Sequence, residues 1–139
     1  MKSIVIDTNV LISFVTSRNG DQQRQVTPLF EEAAKSRCRI ICPGNVLAEF
    51  TYVMNRIYTV PLAEIAAIIK SFIAIPGVTV VGDISYDHFF RIWPGVIAEY
   101  GDAVVAVTAK SVKGSAVATF DRKMAAALER LNVPLYAWK

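Results

Sequence analysis

Five short runs of mostly β-branched residues, each separated from the next by helical stretches, constrain this chain more than any other feature. The runs are SIVI (3–6), RIIC (39–42), VTVV (78–81), AVATF (116–120) and PLYAW (134–138). They do not alternate polar with apolar, so they read as strands buried on both faces. Helical stretches are predicted near 8–16, 24–36, 44–58, 62–75, 85–99, 102–112 and 122–131. Strand and helix in alternation give a three-layer α/β/α fold, with a mostly parallel five-stranded sheet and about seven flanking helices. Pro43, Pro61 and Pro134 fall at element edges, whereas Pro28 and Pro94 fall within helical stretches and should kink or split them. At 139 residues and 53% hydrophobic, the chain can bury one proper core and is too short for two ordinary domains. One domain over 1–139 is expected.

In open parallel sheets ligands gather beyond the carboxyl ends of the strands. Asp7 directly follows SIVI, and Asp121 directly follows VATF. Asp102 opens the helix DAVVAVTAK just after Gly101. Any one of these acids is an ordinary helix N-cap. Asp7 fits that reading least well, since a carboxylate behind Ile4, Val5 and Ile6 is costly to bury unless paired, hydrogen-bonded or bound to a cation. Glu49 has no capping role to play. It lies in PGNVLAEFTYVMNRIY, where Val46, Phe50, Val53 and Ile57 share a face with Leu47 and Met54. At about 100° per residue Glu49 falls just outside that stripe, on a rim from which it can reach into a cleft. Arg56, two turns on along the same flank, is a candidate contact for a substrate phosphate; as a surface ion pair it would contribute little.

If these acids converge, their repulsion demands a countercharge. Hard oxygen ligands select Mg²⁺ or Mn²⁺. Such an ion activates water and stabilises charge on a phosphoryl centre. Covalent catalysis by a Ser–His–Asp or Cys–His set is poorly served by a chain with one histidine, His88. Cys38 and Cys42 in CRIIC would stand about 13 Å apart along a strand, too far for a disulfide. Two unpaired thiols suit a reducing compartment, so a cytoplasmic location is expected. The net charge of +3 tolerates a polyanionic partner without requiring one. LAEIAAIIKSFIAI (62–75) carries Glu64 and Lys70 and is too short to span a membrane. Asp7 interrupts the apolar run after Lys2 too early for a secretion signal. No membrane association is expected. A mean hydropathy of +0.38 suggests instead that another chain covers some apolar surface.

Together, IVIDTNVLIS (4–13), PGNVLAEF (43–50), EYGDAVVAVTAK (99–110) and VATFDRKM (117–124) resemble the successive motifs of the PIN domain, in order and across essentially the whole chain. The nearest subgroup is the VapC-like ribonuclease toxins. The resemblance implies a strand order of 3-2-1-4-5 and an acidic metal site of Asp7, Glu49, Asp102 and Asp121. Asp7 and Asp102 would be the central ligands, with Thr8, Asn9 and Thr119 orienting carboxylates or water. It further implies Mg²⁺- or Mn²⁺-dependent cleavage of RNA, a homodimer or higher assembly, and a cognate antitoxin partner. A processing ribonuclease outside any toxin pair, or a catalytically silent RNA- or protein-binding module, is the alternative.

Two other acid-bearing folds fit less well. A haloacid-dehalogenase-type phosphatase needs a second aspartate where this chain has Asn9. A phospho-accepting receiver domain needs paired early acids and a lysine after the last strand, where only Lys139 is available.

Overall fold

The computed structural model describes residues 1–138; Lys139 lies outside the described residues. The chain runs β1 (Lys2–Ile6), α1 (Thr8–Val15), α2 (Gly20–Ala34), β2 (Cys38–Pro43), α3 (Gly44–Arg56), α4 (Leu62–Ile73), β3 (Val78–Val81), α5 (Tyr86–Ile92), α6 (Tyr100–Ser111), β4 (Ala116–Ala118) and α7 (Arg122–Arg130). All strand pairs are parallel, and the order is β3-β2-β1-β4. This is the expected three-layer α/β arrangement, with β1, which leads into Asp7, between β2 and β4.

The sheet has four strands rather than five. The segment expected as a strand over 134–138 joins β4 by one parallel bridge, Val117 to Leu135. Its two bonds run from Val117 N to Pro134 O and from Tyr136 N to Val117 O, both 2.9 Å. A ladder cannot extend from there, because β4 offers only three residues and Pro134 has no N–H to donate. The tail is held by its aromatic rings as well. Trp138 stacks on Phe120 with ring centroids 4.4 Å apart and donates its indole N–H to Thr119 O at 3.1 Å.

Burial explains why the central strands read as unbroken apolar runs. Ile4, Val5 and Ile6 are all buried although they point to alternate faces, and so are Ile40, Ile41 and Cys42 of β2. Helices therefore cover both sides. α6 packs against β1, β4 and β2, and its residues Ala103 to Ala109 are all buried. Truncating Ile41 to Ala in this layer would cost about 2–5 kcal/mol. β3 departs from the expectation of two buried faces: Thr79 and Val80 are exposed, because an edge strand has a neighbour on one side only.

The prolines act differently from one another. The helix expected over 85–99 ends at Ile92, since Pro94 has no N–H and disfavours helical backbone at Trp93, which is extended (φ −102°, ψ 136°). By contrast α2 continues through Pro28 and starts four residues earlier than expected, at Gly20, because Asn19 caps it by accepting from Gln22 N at 3.0 Å. Both cysteines are free and buried. Among the described residues no helix is long and apolar enough to cross a membrane.

Candidate active site

Asp7 occupies the single residue between β1 and α1. Its backbone is extended (φ −88°, ψ 161°), and its N–H donates to Ala118 O at 3.1 Å, which ties the end of β1 to β4. Oδ1 accepts from Thr8 N at 2.8 Å, as an N-cap does. Oδ2 accepts from Thr119 Oγ1 at 2.9 Å and from Asn9 Nδ2 at 3.4 Å. The residue is 5% exposed. Burial raises its pKa above the ordinary carboxylate value. The Thr119 and Thr8 bonds pull it back, and the charges of Glu49 and Asp121 push it up again.

Thr119 joins Asp7 to Asp121. While donating to Asp7, its hydroxyl accepts from Asp121 N at 3.1 Å. Asn9 closes the same network by accepting from Phe120 N at 3.2 Å through Oδ1. Asp121 itself caps α7, its Oδ1 accepting from Lys123 N at 2.9 Å and Met124 N at 3.1 Å.

Glu49 arrives from the second turn of α3 and is exposed, as its rim position predicts. Thr8 Oγ1 donates to its Oε2 at 2.8 Å. On the α6 side, a Cβ on Gly101 would overlap the Glu49 carboxylate and would stand 3.2 Å from Asn45 Nδ2. Asn45 donates to Gly101 O at 3.3 Å. α3 and α6 therefore meet at a point where a side chain on residue 101 would have to displace the Glu49 carboxylate.

Asp102 corrects an expectation. It does not open α6, which begins at Tyr100 with Glu99 at its N-cap, and its side chain caps nothing. The carboxyl makes no hydrogen bond to any described residue. Its pKa is raised to about 7, first by burial and then by the charges of Asp7, Glu99, Asp121 and Glu49. Three chain-distant acids and the nearby Glu99 thus act on one carboxyl.

The structure brings together Asp7, Glu49, Asp102 and Asp121, with Thr8, Asn9 and Thr119 bonded to them. Arg56 is not part of the group. It stands exposed at the far end of α3, about 10 Å further along the axis than Glu49. Two residues escaped the sequence reading. Glu99 sits in the quoted EYGD motif, where an acid three places from another reads as solvated surface. Asn45 sits in PGN at the start of α3, where it reads as a helix-start residue.

The donor set suits a hard divalent cation. Two features of this chain agree with one: the half-buried Asp102 carboxyl lies beside like charges, and the buried Asn45 Oδ1 has no hydrogen-bond partner among the described residues. Among the described residues, however, no three Asp, Glu, His or Cys side chains are placed to enclose an ion. Asp7, Glu49 and Asp121 are turned towards the N–H and O–H groups around them, whereas Asp102 is bonded to none.

A family model for the PIN domain matches residues 4–129. Among solved structures, the chain is similar to VapBC2 from Rickettsia felis, solved bound to a DNA fragment from its promoter, with a TM-score of 0.72, 15% identity and 99% of each chain covered. It is similar to VapC20 of Mycobacterium tuberculosis, a Sarcin-Ricin loop cleaving toxin, with a TM-score of 0.67 and 16% identity over 89% of this chain and 94% of that one. The PIN domain endonuclease Utp24 aligns with a TM-score of 0.54 and 15% identity over 93% of this chain and 78% of that one. No curated protein sequence matches the chain significantly.

Proposed function

The chain belongs to the PIN domain family, and on that premise we propose that it is a Mg²⁺- or Mn²⁺-dependent endoribonuclease, the toxin of a type II toxin–antitoxin pair. One observation carries the reading: hydrogen bonds through Thr8 and Thr119 link Asp7 to Glu49 and to Asp121, so acids from the β1–α1 junction, α3 and the start of α7 meet at one end of the sheet, with the half-buried Asp102 of α6 beside them. Such an assembly is unfavourable by itself and useful around a cation.

Asp7 and Asp102 are the central acids, one rigidly bonded and one free to turn. Thr119 and Asn9 hold Asp7, so its orientation does not depend on substrate. Thr8 holds Glu49 at the α3 rim, and the α7 N–H groups hold Asp121. Asn45 Oδ1 is an acceptor without a donor, suited to a water in the groove. When bound, a divalent ion lowers the pKa of water and stabilises charge on the phosphodiester. In-line attack by water then needs no covalent intermediate, in keeping with a site that holds no histidine or cysteine.

Arg18 extends the groove for RNA. Its guanidinium donates to Ser13 Oγ at 3.0 and 3.3 Å and to Asn9 O at 3.2 Å, with no carboxylate of the described residues in ion-pair range. A fixed, uncompensated cation beside Asn9 suits a phosphate. Arg56 would contact RNA only further along the strand. A cognate antitoxin, a homodimer and a cytoplasmic location belong to the same proposal. The VapC-like fold supports the toxin reading, whereas the likeness to Utp24 supports a ribonuclease outside any toxin pair.

Purified protein should cleave single-stranded RNA with Mn²⁺, lose that activity with EDTA, and lose it in Asp7→Asn. Cleavage that persists in Asp7→Asn overturns the site. Growth arrest on expression, relieved by co-expressing a small neighbouring gene, supports the toxin role; harmless expression removes it.

A further inference from the structure

Beside the acids lies a second concavity that the metal chemistry does not use. It is a cleft of about 160 Å³ between α7 and the segment leading into α6, and Asp102 forms part of its wall. Its floor is apolar, made by the buried Ile97, Met124 and Ala127. Its rim carries Glu99, Lys123 and Arg130. A drug-sized ligand needs about 300 Å³ or more, so this volume admits one flat ring system and little else.

Glu99 is the informative member. It holds the N-cap position of α6, yet its side chain bonds none of the helix N–H groups. An acid placed where capping would be ordinary, and not capping, is available to something outside the helix. Lys123 forms no ion pair among the described residues. Arg130 reaches only Val96 O, at 3.5 Å. The cleft therefore pairs a free carboxylate with two free cations around an apolar floor.

We infer that this cleft is a base-recognition subsite that accepts one unpaired RNA base next to the cleaved phosphodiester, with guanine preferred. The inference rests on the nuclease reading for its substrate class. Continuity through Asp102 sets the occupant, because a strand whose phosphate lies at the acids has its neighbouring base within reach of the cleft. Single-stranded RNA is read by bases splayed out of the stack, held on apolar surface and bonded along their edges. Among the four bases only guanine presents two adjacent donors, N1–H and N2–H, that a carboxylate accepts together, while its O6 and N7 accept from a lysine or arginine. Adenine and cytosine set a ring-nitrogen acceptor against Glu99, and uracil offers it one donor.

The test separates binding from cutting. Four RNA pentamers that differ only in the central base are titrated by fluorescence anisotropy into metal-free protein in EDTA. The guanine pentamer should bind about tenfold or more tightly than the adenine one, the discrimination expected of a good bidentate contact. Ala126→Trp, at an exposed position on the cleft wall, should reduce the four affinities to near equality. Glu99→Gln should remove the guanine preference and still bind RNA. If Ala126→Trp melts early, Glu99→Gln carries the test, since it changes one exposed side chain by one group. Equal binding of the four pentamers by the wild type, or a preference that survives both variants, overturns the subsite. Guanine-selective binding without metal-dependent cleavage leaves the subsite standing and overturns the nuclease reading alone.

Discussion

The carboxylate of Glu49 fills the space that a side chain on Gly101 would need. α3 and α6 approach closely enough there for Asn45 to donate to Gly101 O, and the missing Cβ is what admits the acid. The atom in the way is the end of a flexible, exposed side chain, so a clash can be relieved by swinging Glu49 outward. Gly101→Ala should therefore leave the fold intact. The displaced acid should cost roughly 10–100-fold in Mn²⁺ affinity, the usual effect of disturbing groups that orient a metal ligand. Calorimetric Mn²⁺ titration beside a thermal melt checks both. Unchanged Mn²⁺ affinity would remove Glu49 from the site.

Thr119 has one hydroxyl serving two acids, donating to Asp7 Oδ2 and accepting from Asp121 N. Thr119→Val keeps the shape and removes both bonds, leaving a buried carboxylate short of a donor. Loss of a hydrogen bond to a charged group should cost about 1.5–3 kcal/mol in urea denaturation. Thr119→Ser, which keeps the hydroxyl and removes one methyl, should cost about 0.8 kcal/mol. Equal costs for the two would mean that packing, not the hydroxyl, matters at this position.

The sequence carried the strand and helix alternation clearly, because β1 and β2 are buried on both faces and contain few polar interruptions. It also carried Asp7, whose burial behind three apolar residues is unusual enough to be noticed. Asp102 was found for a partly wrong reason. It reads as a cap, and it is in fact the acid in α6 that caps nothing. The last strand failed because the residues of PLYAW suit a strand, whereas a ladder depends on how many partners β4 presents. Glu99 and Asn45 could not be seen at all, since their significance lies in what α6 and α3 place around them, and periodicity along one helix does not record a neighbouring one.

Arg18 should reveal itself through salt rather than through stability. Its bonds to Ser13, Asn9 and Gln22 are to neutral acceptors, and Ser13 keeps a partner without it by donating to Gln22 at 2.7 Å. Arg18→Ala should weaken binding of a single-stranded RNA regardless of its sequence. It should also lower the slope of log K against log salt by about 0.7, the share of one phosphate contact on a single strand. Anisotropy titrations across a salt series measure that slope. A variant that binds as the wild type does would make Arg18 a loop pin and nothing more.

The pH dependence of stability follows from the sign of the Asp102 shift. Its folded pKa lies near 7 against an ordinary 3.8, so between those values the folded state holds a proton that the unfolded state has released. Stability is then fully present below about pH 4 and is lost as pH rises through about 7. Asp7, also raised, contributes in the same direction. Metal-free protein should accordingly melt at a lower temperature at pH 8 than at pH 5, and Asp102→Asn should flatten that decline while leaving the part due to Asp7. A cation reverses the trend, because it binds the deprotonated acids and gains affinity over the same range. At Mn²⁺ about 100 times its dissociation constant the added stability should be roughly 2.7 kcal/mol at high pH, shrinking as the acids take up protons. Thermal melts with EDTA or Mn²⁺ across this range decide the matter. If Asp102→Asn declines as steeply as the wild type, the charge responsible lies elsewhere than on α6.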